Sequence, residues 1–224
     1  MFSPNQITTE QGSNISIGNY INKHVQNGDG LVSASMPFKT HSKRIKKNEV
    51  ICGEGDLGSN IYFLVSGKVE VSLERNGTVN ILNFVFENEW FADFHSLISQ
   101  APSEVRITAL TACQVEYIDY RDLLQAAQTS LLINQVIRHL MERNYLTKCD
   151  REKQLLTRTA RERYEYLIER QPEVSMYISI KKIAYYLGIQ PESLSRIRRE
   201  IAKERKSRSI DIRGKGTDLL SQAV

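Results

Sequence analysis

The apolar positions of the chain change period along its length. Between about Met36 and Ile118 they form short segments of β-type alternation, punctuated by Gly and Asn. Val69, Val71 and Leu73 alternate with Glu70, Ser72 and Glu74, the two-residue period of a strand with one face in water. Asn76-Gly77 follows, and both residues tolerate positive φ, so the pattern predicts a tight hairpin that returns through an apolar strand from Ile81 to Phe86. This part of the chain is therefore expected to be antiparallel β. Near Asp119 the period becomes helical. Asp119 is placed to cap a helix over Tyr120–Ala127, and Ser130 to cap a longer one reaching about Leu156. In the long helix Ile133, Ile137, Leu140, Asn144 and Thr147 recur at alternating spacings of four and three. That spacing predicts a seam for a partner helix, with Asn144 setting register; it also suits a helix packed on its own domain. Thr159 with Glu162 fits a capping box, Ala160, Tyr164, Leu167 and Ile168 share the face of the helix it opens, and Pro172 follows its end.

Four segments result: a polar lead-in over 1–34, a β-rich domain over 35–129, a pairing helix over 130–156 and a helical domain over 157–224. The lead-in is rich in Asn, Ser, Gly and Gln. With only a weak helical pattern at Ile17, Ile21 and Val25, it is expected to pack loosely.

The most specific signal spans Ile180 to Ile201. Ser179 is a good N-cap, Ile183 and Leu187 supply an inward face, and Ala184 is small enough for two helices to cross closely. Gly188 can take the left-handed conformation that turns the chain, Ile189 plugs the corner, and Pro191 suits the first position of the next helix, whose Leu194 and Ile197 complete the core. These offsets predict a helix-turn-helix. Its second helix lies in the DNA major groove, so Glu192, Ser193, Arg196 and Arg199 are the candidate base readers. Arg196 can present two donors to guanine, and Glu192 can accept from cytosine. Ser179, Lys181, Lys182, Arg198 and Lys203 are candidate phosphate contacts, which position the protein without reading sequence.

Charge strengthens this reading. The net charge is only +4, yet Leu194–Lys215 holds nine basic residues against three acidic ones. Such a segment without a motif is usually a solvated face; with one attached, it points to double-stranded DNA. No apolar run is long enough for a membrane span, and Met1–Ser16 lacks the plan of a signal peptide, so a cytoplasmic location is expected. Cys52, Cys113 and Cys149 are too few and too scattered for a disulfide framework or metal site and are expected to be reduced structural thiols.

Glu54-Gly55-Asp56, Ile61-Tyr62-Phe63-Leu64, Ser66-Gly67-Lys68-Val69 and, later, Pro191-Glu192-Ser193-Leu194-Ser195-Arg196-Ile197 stand in the order and spacing of a known family. Through them the chain resembles the cyclic AMP receptor protein family, or Crp/Fnr regulators, from about Met36 onward. The resemblance implies an α+β fold: an N-terminal double-stranded antiparallel β-roll of cyclic-nucleotide-binding type, a long dimerisation helix and a C-terminal winged helix-turn-helix. It also implies a homodimer on palindromic DNA near promoters, with RNA polymerase as a further partner. The wing is expected as a short basic hairpin over 207–214, with Ser209–Ile212 its strand-like stretch.

In members that bind cyclic AMP, a Gly-Glu pair meets the ribose and an Arg-Ser pair holds the phosphate. Matching through Thr111-Ala112-Cys113 places Ala92-Asp93 and Ser103-Glu104 at these pairs; Arg106 serves as the phosphate cation only if a gap shifts the match. A carboxylate beside an anionic phosphate is repulsive, on the order of 1–4 kcal/mol depending on effective dielectric. The pocket is thus expected to be degenerate, with no cyclic AMP or cyclic GMP bound, no other cofactor, and the effector left open. The clustered cysteines of the iron-sulfur branch are also missing.

Two rival readings come from other classes. β-Roll architecture overlaps with metal-dependent cupins, but His24, His41, His95 and His139 lie far apart in sequence. His95 with Asp93 reads better as a partly buried hydrogen-bonded pair than as metal ligands, so neither catalysis nor a metal is expected. The other rival is a ligand-binding module that regulates a partner protein, against which the helix-turn-helix argues.

Overall fold

Alternating strands bury one face each, and here eight of them close into a roll with a core on either side of one sheet. The computed structural model describes residues 16–24 and 37–218, and the chain divides into two units, 1–153 and 154–224. The first unit holds α1 (Ile17–His24), β1 (His41–Ile45), β2 (Val50–Cys52), β3 (Asn60–Ser66), β4 (Val69–Arg75), β5 (Thr78–Val85), β6 (Trp90–Phe91), α2 (Phe94–Ser99), β7 (Arg106–Ala109), β8 (Cys113–Asp119) and α3 (Tyr120–Ala127). Most of α4 (Leu131–Thr157) belongs to it as well.

The strands form two antiparallel sheets, in orders β1-β8-β3-β6 and β2-β7-β4-β5. Leu64, Val115, Ile45 and Phe91 of the first sheet meet Val69, Val85, Ile107 and Ala109 of the second to form the inner core. The hairpin stands where the sequence puts it, with positive φ at Asn76 and Gly77 between β4 and β5. Gly67 is fixed by a different constraint. Its φ is 103°, and a Cβ there would lie 2.6 Å from Cys113 Sγ and 2.7 Å from Ala112 O, so only glycine fits.

A second core forms on the outer face of the first sheet. Ile61, Phe63, Val65 and Ile118 face away from the roll interior and are covered by α1, α3 and α4. Two sequence expectations are corrected here. The lead-in contains a packed helix: Ile17, Tyr20 and Ile21 of α1 are buried against this sheet, and the Ile17 amide donates to Glu116 Oε2 at 2.8 Å. Val25 and the rest of the lead-in lie outside the described residues. Tyr20 makes edge contacts with Phe63 and Trp90, accepts from Arg143 Nη1 at 3.0 Å, and lies 3.4 Å from His139 Nε2.

The second correction concerns the helix seam. Ile133 is 0% exposed and Leu140 4%, both in this outer core, with Ile137 packed against it. Val136 is buried beside them, so the stripe is too broad for a two-position pairing seam and serves as the lid of the chain's own domain. Asn144 lies half-buried further along the helix. The opposite face of α4 carries exposed Leu131, Tyr145 and Leu146. With Gln135, Arg138, Glu142 and Cys149, Leu131 and Tyr145 form another row of alternating four and three, in which Arg138 pairs with Glu142 at 3.6 Å.

The second unit is helical: α5 (Ala160–Arg170), α6 (Pro172–Tyr177), α7 (Ile180–Leu187) and α8 (Pro191–Asp218). Thr159 and Glu162 form the expected capping box, and Arg161 makes a two-pronged ion pair with Glu204 at 2.7 and 2.5 Å, tying α5 to α8. The expected wing over 207–214 is replaced by the continuation of α8. The strand signal there is only four residues long. An isolated hairpin is marginal in water, whereas a helix satisfies its backbone locally.

Candidate nucleic-acid interface and sensor site

The two helices of the interface are set by local chemistry. Ser179 caps α7 by accepting from the Lys182 amide at 3.4 Å. Gly188 closes it with φ 68°, and the Ile189 amide returns to Ala184 O at 3.0 Å, a hydrogen-bonded stop that turns the chain. Ile183, Ala184, Leu187, Leu194, Ile197 and Ile201 are buried where α7 and α8 cross. Arg163 reaches the exposed end of α7 and donates to Leu187 O at 3.1 Å.

With Leu194, Ile197 and Ile201 turned inward, the helical period places Glu192, Arg196, Arg199 and Lys203 on the opposite face of α8. All four are exposed. Lys203, read from the sequence as a phosphate contact, thus shares the face of the candidate base readers. Ser193 and Arg198 sit half-buried on its two flanks. On α7, Lys181 is exposed with its ammonium 5.7 Å from the Tyr185 ring centroid, and Lys182 is half-buried. Among these side chains the face of α8 carries three cations and one carboxylate.

In the first unit the five expected pocket residues do not converge. Asp93 caps α2, its carboxylate accepting from the His95 and Ser96 amides at 3.1 and 3.3 Å, and Ala92 is half-buried beside it. The His95 side chain is exposed, contrary to its reading as a partly buried partner. Ser103 is 2% exposed; its hydroxyl donates to Val105 O and accepts from Val105 N, while its backbone exchanges two hydrogen bonds with Gly55 and Asp56. Glu104 is 64% exposed and paired with Arg75 at 3.1 Å, so its assignment to the pocket is corrected. Arg106 follows it out: Ile107 and Ala109 point into the roll, and strand alternation turns Arg106 to solvent.

Cys52 packs at the edge of the inner core, its thiol donating to Gly53 O at 3.9 Å. Burial pushes the thiol above its ordinary value, with Asp56 and Asp93 adding in the same direction. Tyr62 packs against the same core and interacts electrostatically with Cys52; burial pushes its hydroxyl up as well. Sequence reading missed both, because Tyr62 lay within a run of strand residues with no polar partner in view. Among the described residues, no three His, Cys, Asp or Glu side chains come together as metal ligands, and no helix is long and apolar enough to cross a membrane.

Residues 42–130 match the cyclic nucleotide-binding domain family. No curated protein matches the sequence. Among solved structures, FixK2 from Bradyrhizobium japonicum is similar at 21% identity and a TM-score of 0.65, covering 74% of this chain and 86% of its own. A CooA mutant from Carboxydothermus hydrogenoformans aligns at 15% identity and 0.61, over 74% and 77% of the two chains. CLP, the c-di-GMP responsive global regulator of Xanthomonas campestris, aligns at 19% and 0.59, over 74% and 87%. Residues 42–130 are thus a domain of cyclic nucleotide-binding type, and about three quarters of the chain shares the α+β fold of these solved structures, the fold that the sequence motifs imply.

Proposed function

We propose that the protein is a homodimeric, DNA-binding transcription regulator of the Crp/Fnr type, acting in the cytoplasm on a palindromic site, with RNA polymerase as its further partner. The observation that carries this reading is the solvent face of α8, where Glu192, Arg196, Arg199 and Lys203 line up opposite a buried helix-helix core. Arg196 and Glu192 read bases from within the major groove, and Ser193 and Arg199 contact base edges beside them. Ser179, Lys181, Lys182, Arg198 and Lys203 hold phosphates. Dimerisation runs through the exposed face of α4, where Leu131, Tyr145 and Leu146 present the apolar area that Ile133 and Leu140 spend on their own domain.

Cyclic AMP and cyclic GMP are not the effectors in this reading. The Ser103 hydroxyl is already bonded to Val105, and the charged groups that act on Cys52 are the carboxylates of Asp56 and Asp93. A cyclic phosphate placed there loses its charge-assisted hydrogen bonds, worth about 1.5–3 kcal/mol, and meets two like charges. Calorimetry with each nucleotide tests this, and saturable micromolar binding overturns it.

Sequencing the genomic fragments retained by the purified protein tests the function itself. A shared motif with two half-sites about one DNA turn, 10–10.5 base pairs, apart is expected. On that site Arg196→Ala costs about 1–3 kcal/mol and relaxes one base position, whereas Lys181→Ala weakens every duplex alike and lowers the salt slope by about 1. Equal losses for Arg196→Ala on specific and random DNA remove its base-reading role.

A further inference from the structure

In the second unit the chain leaves α4 through Arg158 and Thr159, and both residues are held. The Arg158 amide donates to Gln154 O at 3.1 Å and so closes the last turn of α4, while the Thr159 amide donates to Glu162 Oε2 at 2.8 Å as part of the capping box. The Arg158 guanidinium lies over the Tyr166 ring, 4.1 Å from its centroid. The Arg158 carbonyl accepts from Arg163 Nη1 at 2.7 Å. The other arm of the same guanidinium, Nη2, donates to Leu187 O at 3.1 Å. Leu187 is the last residue of α7, is 1% exposed, and stands immediately before Gly188, where the chain turns into α8. One side chain thus holds the exit of α4 and the turn between α7 and α8 together.

Arg163 is poorly placed for its own helix. It stands fourth in α5, where a cation has the wrong sign for the helix dipole, and its Nε is buried with no partner among the described residues. Its gain lies at the two carbonyls. The last carbonyls of a helix have no partner within that helix, and a buried one left unpaired is costly. The planar fork of a guanidinium presents donors at a fixed spread, which the point charge of a lysine ammonium does not reproduce. The Arg161–Glu204 pair fixes α5 to α8, and Arg163 adds the tie to α7.

We propose that Arg163 is a positioning residue for DNA recognition: it couples the order of the last turn of α4 to the setting of α7 against α8, so that occupying the operator and ordering that turn favour each other. This role rests on the DNA-binding reading of the second unit and adds the control of that site. Coupling of this kind is reciprocal, so DNA held by α8 steadies the turn at Arg158 as much as that turn steadies the DNA-binding face. Arg163 itself touches neither base nor phosphate.

Amide hydrogen exchange on the full-length protein, free and saturated with operator duplex, tests this. In the wild type the operator is expected to slow exchange over residues 154–158 as well as over 180–201. Arg163→Lys keeps the charge and removes the fork. It should abolish the slowing over 154–158 while that over 180–201 persists, weaken operator binding by about tenfold and leave the dependence of affinity on salt unchanged. Arg163→Gln, run beside it, should abolish the same slowing, so one variant that fails to fold does not remove the comparison. A merely structural role would speed exchange in the free protein and leave the operator-dependent difference in place. Slowing over 154–158 that survives either substitution overturns the proposal, as does a salt slope lowered by about 1 in Arg163→Gln, the mark of a phosphate contact. The wild-type arm needs no substitution. Operator binding without slowing over 154–158 sinks the coupling alone, whereas wild-type protein that binds no DNA sinks the regulator reading with it.

Discussion

Individual residues set the corners of this molecule, and their energies are local enough to test singly. Gly188 holds φ 68° with nothing within 4 Å of where a Cβ would stand. Gly188→Ala thus carries a backbone cost without a clash, roughly 1–2 kcal/mol in denaturant unfolding. A much larger loss would mean that α7 and α8 close more tightly than the geometry shows. His139 offers a second test. Burial, followed by the Arg143 charge, lowers its pKa below the ordinary value, while Glu142 acts weakly in the opposite direction. The folded state thus binds fewer protons than the unfolded chain across the interval between the two pKa values. Stability is complete above about pH 6.5 and is lost as pH falls through the lowered value. The single tryptophan, Trp90, packs on Tyr20 in the same core, so its fluorescence follows unfolding there. His139→Gln should flatten the acid limb of the stability profile; an unchanged limb removes His139 as its source.

At the scale of elements, α4 has two faces with different duties, and substitutions separate them. Leu140 lies in the outer core of the first unit, so Leu140→Ala should cost about 2–5 kcal/mol of stability while the protein stays dimeric. Leu146 is 64% exposed on the other face. Leu146→Asp should leave the thermal midpoint of the subunit nearly unchanged and shift sedimentation from dimer to monomer. Monomers from Leu140→Ala and dimers from Leu146→Asp would return the seam to Ile133, Ile137 and Leu140. The expectation of that seam failed for a physical reason. A period of three and four identifies an apolar stripe, but what the stripe covers depends on which sheet face lies opposite. Here the outer face, with Ile61, Phe63 and Ile118, needed a lid.

For the whole molecule, the two units divide the labour. The first carries both cores and the exposed apolar face of α4; the second carries the basic face of α8. Under the proposed function, DNA affinity is largely electrostatic and falls steeply with salt, whereas discrimination resides in a few base contacts. The four-residue strand signal near Ile210 could not outweigh the helical course of α8, so the described backbone continues as a long helix where a hairpin wing was expected.

What the sequence determined by itself was whatever depends on neighbours a few residues away. The Asn76-Gly77 hairpin, the caps at Asp119, Thr159 and Ser179 and the turn at Gly188 all follow from side-chain and backbone chemistry within one turn of chain. The family motifs extended this reach to the β-roll and the order of the helices. Tertiary structure alone decided which stripe of α4 is covered, that Ile17 and Ile21 of the lead-in are core, and that Glu104 leaves the pocket for Arg75. It also assembled an aromatic row from positions 41, 62, 91 and 117, which no local pattern connects. The reason is that cross-strand registry and burial are properties of distant segments brought together. A one-residue change in that registry would turn these rings to the other face of the sheet.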